Sequence, residues 1–189
     1  TALQQQGFVE AFRHPDIVQA IESGATRRIA VTYLEWGGNN RHRVVVPWKL
    51  VDSAASAHRL ARRLERNRPA RLKRGTSISS ALLKSYELFQ RSPYAGARRI
   101  INISGDGVNN KGPDLAAVRA GLLAAGVTIN GLPVVYKGPV DGVVSGLDAP
   151  ADPSLLIDYF ERQVIGGPYA FVEPVAAIES YTDAIRRNL

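Results

Sequence analysis

A chain of 189 residues, 45% hydrophobic and 22% charged, has the length and composition of one folded domain with a single core, and excludes a disordered or fibrous protein. It contains no cysteine, which excludes disulfides, thiolate zinc sites and cysteine nucleophiles without choosing a compartment. The net charge of +7 raises the question of an anionic partner, and no apolar run approaches the roughly 18 residues of a membrane span.

Thr1 opens a polar, helix-like stretch rather than a basic and apolar leader. Leu3, Phe8, Val9 and Phe12 fall on one side of a first helix. After His14-Pro15, Asp16 reads as the cap of a second helix carrying Ile17, Val18, Ala20 and Ile21, which Gly24 ends. The β-rich runs Ile29 to Trp36 and Arg43 to Val51, joined by Gly37-Gly38-Asn39-Asn40, predict a hairpin. Pro47 makes the second strand a sheet edge.

Asp52 reads as the cap of a helix to about Asn67, with Ala54, Ala57, Leu60, Ala61 and Leu64 as its buried stripe. Much of the positive charge lies here and in the loop beyond: Arg59, Arg62, Arg63, Arg66, Arg68, Arg71, Lys73 and Arg74, opposed by Glu65. No aromatic residue interrupts the run to stack on bases, so it reads as a solvated helix face plus a basic loop, and nucleic acid is not the expected partner. The functional alternative is a polyanion-binding module using Arg62, Arg63, Arg66, Arg71, Lys73 and Arg74.

Thr76 or Ser77 opens the next helix, Ile78 to about Arg91, and Ser92-Pro93 ends it. Arg99 to Ser104 predicts a short strand, Asp114 the cap of a helix ending at Gly126, and Val127 to Val135 another strand. The Gly- and Pro-rich stretch Lys137 to Pro153 predicts a mobile surface loop. A helix from Ser154 to about Val164, a short strand at Ala170 to Val172 and a closing helix Val175 to Leu189, with Ile178, Tyr181 and Ile185 inward, complete the chain. Strands alternating with helices predict an α/β domain: a doubly wound, mainly parallel sheet with one antiparallel edge strand and helices on both faces.

In open α/β sheets ligands gather at the carboxyl ends of the strands. Two loops stand out there. One is Gly75-Thr76-Ser77-Ile78-Ser79-Ser80, a hydroxyl residue at a helix start; the other is Ser104-Gly105-Asp106-Gly107, a carboxylate leaving a strand. A hydroxyl and a carboxylate from separate loops suit a hard cation such as Mg2+, which takes oxygen ligands and keeps positions open for a partner's acidic group. Each residue also has a plainer role, Thr76 or Ser77 as a helix cap and Asp106 as a turn residue.

With the order of elements, Gly75 to Leu82 and Ile103 to Gly107 resemble the second and third segments of the metal-ion-dependent adhesion site of von Willebrand factor A domains. Ala2 to Phe8, Tyr33-Leu34-Glu35-Trp36, Gly105 to Asn110 and Val164 to Pro168 resemble an uncharacterised bacterial branch of that superfamily, whose members carry secretory leaders. The resemblance implies Thr76 and Asp106 as ligands of Mg2+, Mn2+ or Ca2+, and a periplasmic or secreted location. It also implies a first strand, carrying Asp-x-Ser-x-Ser, ahead of Thr1; without it two of the five ligand positions are present and metal affinity is weak or absent. The expected function is noncatalytic recognition of a protein's acidic group through the metal in the complete form.

Enzyme readings fail on the residues. Gly105-Asp106-Gly107-Val108-Asn109-Asn110 has Asn110 where a dinucleotide loop needs its third glycine, and no Asp or Glu occurs from Leu115 to Val140 to hold a ribose. There is no nucleophile elbow, phosphate loop or zinc-protease motif, and His14, His42 and His58 read as surface or structural. In the sheet order 3-2-1-4-5-6 the missing strand is central. Ile29 to Trp36 and Arg99 to Ser104 are therefore expected to run parallel but about 9 to 10 Å apart, two strand spacings, with Thr76 and Asp106 at the same end of the gap.

Overall fold

The computed structural model describes residues 2–70, 75–135 and 152–189. Helices α1 (Ala2–Ala11) and α2 (Pro15–Ser23) precede the hairpin β1 (Ile29–Trp36) and β2 (His42–Val51). Then follow α3 (Ala54–Glu65), α4 (Ile78–Gln90), β3 (Arg99–Gly105), α5 (Leu115–Ala124) and β4 (Val127–Pro133). The chain ends with α6 (Pro153–Tyr159), a π-helical turn Phe160–Val164, and α7 (Glu179–Asn188).

The starts expected for α3, α4, α5 and α6 hold to within a residue. In contrast, α2 begins at Pro15, ahead of the expected cap Asp16, and α7 begins at Glu179, four residues after the expected Val175, which is bridged to Val134 beside β4. The capping side chains also differ. The His14 imidazole, not Asp16, accepts from the Asp16 amide at the head of α2. Ser53, not Asp52, caps α3, in a reciprocal box with Ser56. Ser77 caps α4 by accepting from the Ser80 amide, and Asp114 caps α5 through Ala117. Gly126, at φ +74°, follows α5 in the left-handed conformation that favours glycine.

The fold mixes helices with strands, but the strands do not form one doubly wound sheet. β1 and β2 pair antiparallel in one two-stranded sheet, and β3 and β4 pair parallel in register from Arg99–Val127 to Gly105–Pro133 in another. No pairing joins β1 to β3. The predicted strand at Ala170 to Val172 is reduced to isolated bridges beside β4, Gly131 to Val172 and Val134 to Val175. Pro174, between the bridged residues Val172 and Val175, has no N–H to give a continuous ladder.

Three clusters form the interior. Val9, Phe12, Ile17, Val46, Leu60 and Leu64 pack α1, α2 and α3 onto the hairpin. Ile78, Leu82, Ile103, Leu122, Ile129 and Phe160 fill the space around β3 and β4. Leu132, Phe171, Val175, Tyr181 and Ala184 seat α7. Gly131 admits the Phe160 ring, since a Cβ there would fall 2.7 Å from its Cδ1. The π-helical turn closes with Ile165 N donating to Phe160 O at 3.0 Å.

Candidate functional site

A cavity of about 2130 Å³ separates the two sheets. Every residue of β1 and every residue of β3 lines it. Successive side chains of a strand point to opposite faces, so a groove over a face would touch alternate residues. Contact with consecutive residues means that the strands present their edges. Both strands follow the cavity along their length, and a Cβ at Gly105 would fall 3.2 Å from the Trp36 ring, so the side chain that ends β1 reaches the carboxyl end of β3. The volume exceeds the ~300–1,000 Å³ of an ordinary small-molecule pocket. The cavity is a slot between the unpaired edges of β1 and β3.

Apolar helices wall the slot on both sides, with Phe8 and Phe12 of α1 on one and Ala81, Leu88 and Phe89 of α4 on the other. Phe8 meets Tyr33 of β1 edge-on and Tyr181 of α7 at a tilt, at centroid distances of 5.3 and 4.9 Å. Burial raises the Tyr33 hydroxyl pKa above its ordinary value, reinforced by Tyr181 and Glu35. The Tyr181 hydroxyl, also raised mainly by burial and further by Asp106, pairs with Ser104 Oγ at 2.9 Å. Gln4 donates to the same Ser104 oxygen at 3.1 Å, which places the start of α1 at the carboxyl end of β3.

Thr76 and Asp106 both line this slot and both are half-buried. Neither side chain has a hydrogen-bond or ion-pair partner among the described residues. The backbone of Thr76, by contrast, is fully engaged. Its N–H donates to Asn110 Oδ1 at 2.9 Å, and its carbonyl accepts from the amides of Asn110 at 2.9 Å and Lys111 at 3.2 Å. Asn109 Oδ1 accepts from the Ser79 amide at 3.0 Å, and Asn39 Oδ1 from Ser80 Oγ at 2.8 Å. Gly75 has φ +108° and Gly112 φ +88°; a Cβ at Gly112 would lie 2.2 Å from Ser77 Oγ. The two loops fit against each other only with glycine there.

A hydroxyl and a carboxylate are hard oxygen donors of the kind a divalent cation takes. The described residues contain no group of three or more His, Cys, Asp and Glu that could hold a metal. Remaining ligands would therefore come from elsewhere.

Of the basic run, Arg62, Arg63 and Arg66 are exposed on and just after α3, with no carboxylate partner among the described residues. Arg71, Lys73 and Arg74 lie outside the described residues, as does the predicted loop Lys137 to Pro153 except for its last two residues, Asp152, which caps α6, and Pro153, which opens it. His14 serves as a cap and His58 is exposed. The asparagines that hold the two site loops were not singled out by sequence reasoning. Asparagine doublets in two loops, Asn39-Asn40 and Asn109-Asn110, were the available signal.

The family described as "Protein of unknown function (DUF1194)" matches residues 1–189. The chain belongs to that family. No curated protein matches it. Among solved structures, this DUF1194 chain is similar to an aerotolerance-related membrane protein from Bacteroides fragilis NCTC 9343 carrying multiple mutations to serines. That match has 20% identity and a TM-score of 0.58 and covers 95% of this chain and 88% of the other. Proximal thread matrix protein 1 from the mussel byssus is similar at 14% identity and TM-score 0.59, covering 97% of this chain and 41% of that one. At these identities the likeness concerns the fold alone. No helix among the described residues is long and apolar enough to cross a membrane.

Proposed function

We propose that this DUF1194 chain is a noncatalytic, von Willebrand factor A-like interaction domain that recognises an acidic group of a partner protein through a divalent ion. The observation that carries the reading is the Thr76 hydroxyl and Asp106 carboxylate, both without a hydrogen-bond or ion-pair partner among the described residues, lining one slot between β1 and β3. A strand filling that slot would bond β1 and β3 at once and end where these oxygens lie, adding ligands to an incomplete shell. Its proposed source is the same polypeptide, directly ahead of α1, because Gln4 already sits at the carboxyl end of β3. The resemblance assigns that strand the Asp-x-Ser-x-Ser segment. Mg2+, Mn2+ or Ca2+ would serve, and an extracytoplasmic location belongs to the same proposal.

The test is a titration of the full-length protein with Mn2+, followed by electron paramagnetic resonance of the free ion. Thr76→Val and Asp106→Asn should each weaken binding by about tenfold or more, equivalent to ~1.4 kcal/mol. Unchanged affinity in both variants would sink the reading. A second reading, polyanion binding, is favoured by the unpaired Arg62, Arg63 and Arg66. It predicts binding of a sulfated polysaccharide that collapses with salt and ignores a chelator.

A further inference from the structure

The loop that carries Asp106 does more than deliver a carboxylate. Four residues after Asp106, Asn110 takes both backbone polar groups of Thr76: its Oδ1 accepts the Thr76 N–H at 2.9 Å and its own N–H donates to the Thr76 carbonyl at 2.9 Å. Lys111 adds a second donor to that carbonyl at 3.2 Å. Asn109 makes the parallel connection one turn further along, accepting from the Ser79 amide at 3.0 Å and from Ser79 Oγ at 3.3 Å. Its own N–H donates to the Tyr159 hydroxyl at 3.1 Å, which ties the loop to α6.

These bonds determine what Thr76 can do. With its amide and carbonyl both held, the hydroxyl is the only polar group of Thr76 left to meet a ligand. The donors at the head of α4 are likewise used internally: Ser77 N–H goes to Gly37 O at 2.9 Å, Ser79 N–H to Asn109 and Ser80 N–H to Ser77 Oγ at 3.3 Å. An anion at the helix end would find those three amides occupied.

We propose that Asn110 is the positioning residue of the Thr76 and Asp106 pair: it locks the Asp106 loop to the Thr76 backbone and so sets the separation of the two oxygen donors. The assignment rests on the divalent-ion reading above. A metal site tolerates little drift in its donors, and loss of a supporting hydrogen bond behind a ligand weakens affinity by about 10- to 100-fold.

The experiment uses full-length protein and Mn2+, with affinity and thermal melting measured in parallel. Asn110→Ala should lower Mn2+ affinity by about 10-fold or more, while Asn110→Asp, which keeps an acceptor for the Thr76 amide, should restore most of it. Asp114→Ala, which removes the α5 cap further along the same connection, serves as the stability control; it should lower the melting temperature and leave Mn2+ affinity unchanged. Mn2+ binding that is sensitive to Asp106→Asn but indifferent to Asn110→Ala overturns the assignment and leaves the metal reading standing. Equal losses of affinity in Asn110→Ala and Asp114→Ala also overturn it, because they would report general loosening. Absence of Mn2+ binding by the unsubstituted protein overturns both.

Discussion

β1 and β4 have similar apolar character and opposite surroundings. β4 is flanked by β3 on one side and by the Phe171 to Val175 segment on the other, and six of its seven residues are buried. β1 pairs with β2 alone, and all eight of its residues are only half-buried. Ile29, Val31 and Leu34 are as suited to an interior strand as Val127, Ile129 and Leu132. The difference is the neighbour. A strand reaches full burial only when both edges are paired and both faces covered, and β1 faces the slot with its second edge unpaired. Its exposure measures what the slot's occupant would bury.

That comparison is open to direct attack with one side chain at two places. Ile129 is fully buried, so Ile129→Ala should cost about 2–5 kcal/mol by urea denaturation. Ile29 is half-buried, and Ile29→Ala in residues 1–189 should cost less than half as much. In a protein whose slot is filled, the cost at Ile29 should rise toward that at Ile129. Equal costs in residues 1–189 would show that β1 is already packed as an interior strand, and the slot reading would fail.

A smaller effect tests the wall that α1 and α7 build over the slot. A Cβ at Gly7 would fall 2.0 Å from Cδ2 and 2.6 Å from Cγ of Tyr181, at the root of a ring that has no room to swing aside. Tyr181 is fully buried and is tied to Ser104. Gly7→Ala should therefore destabilise by about 1–3 kcal/mol, the range for overpacking a filled core. Gly121, with nothing within 4 Å, provides the contrast on α5: Gly121→Ala should be neutral or stabilising through helix propensity. Equal effects at the two glycines would mean that α1 is free to move off α7.

The sequence made local structure legible and left the long-range arrangement obscure, for physical reasons visible in particular residues. Helical periodicity placed α3 and α4 because each buries one stripe, Ala57, Leu60, Ala61 and Leu64 in the first and Ile78, Ala81 and Leu82 in the second, although Ala54, expected in the first stripe, is exposed at the start of α3. The choice between Asp52 and Ser53 as cap was not legible, since both side chains can accept an amide and only the Ser53 and Ser56 exchange decides it. The single continuous sheet was inferred from strand alternation, which reports how many strands there are but not whether consecutive ones touch. Thr76 and Asp106 were legible as types of donor at loop starts, and the slot they share came from topology. The asparagine clamp was not legible, because a hydrogen bond between positions 76 and 110 leaves no spacing pattern in the chain.

The smallest expected effect lies on the far edge of the β1 half, at His42, which begins β2. Its Nε2 is shielded from solvent and has no partner among the described residues. Burial lowers its pKa below the ordinary 6.5, and Lys84 lowers it further, while Glu87 acts in the opposite sense. Lys84 itself holds Glu87 at 2.8 Å and keeps that carboxyl below its usual range. The folded state therefore favours neutral His42. Above pH 6.5 both folded and unfolded chains carry it neutral and it contributes no pH dependence. As pH falls below 6.5 the unfolded chain takes up the proton first, so stability is lost on the acid side until pH passes the folded value. His42→Gln removes that proton linkage. Melting curves from pH 7 down to pH 5 should then show a shallower loss for His42→Gln than for the unsubstituted chain, with the two converging near pH 7. Parallel curves would place His42 in open solvent and β2 further from α4 than the Lys84 and Glu87 contacts put it.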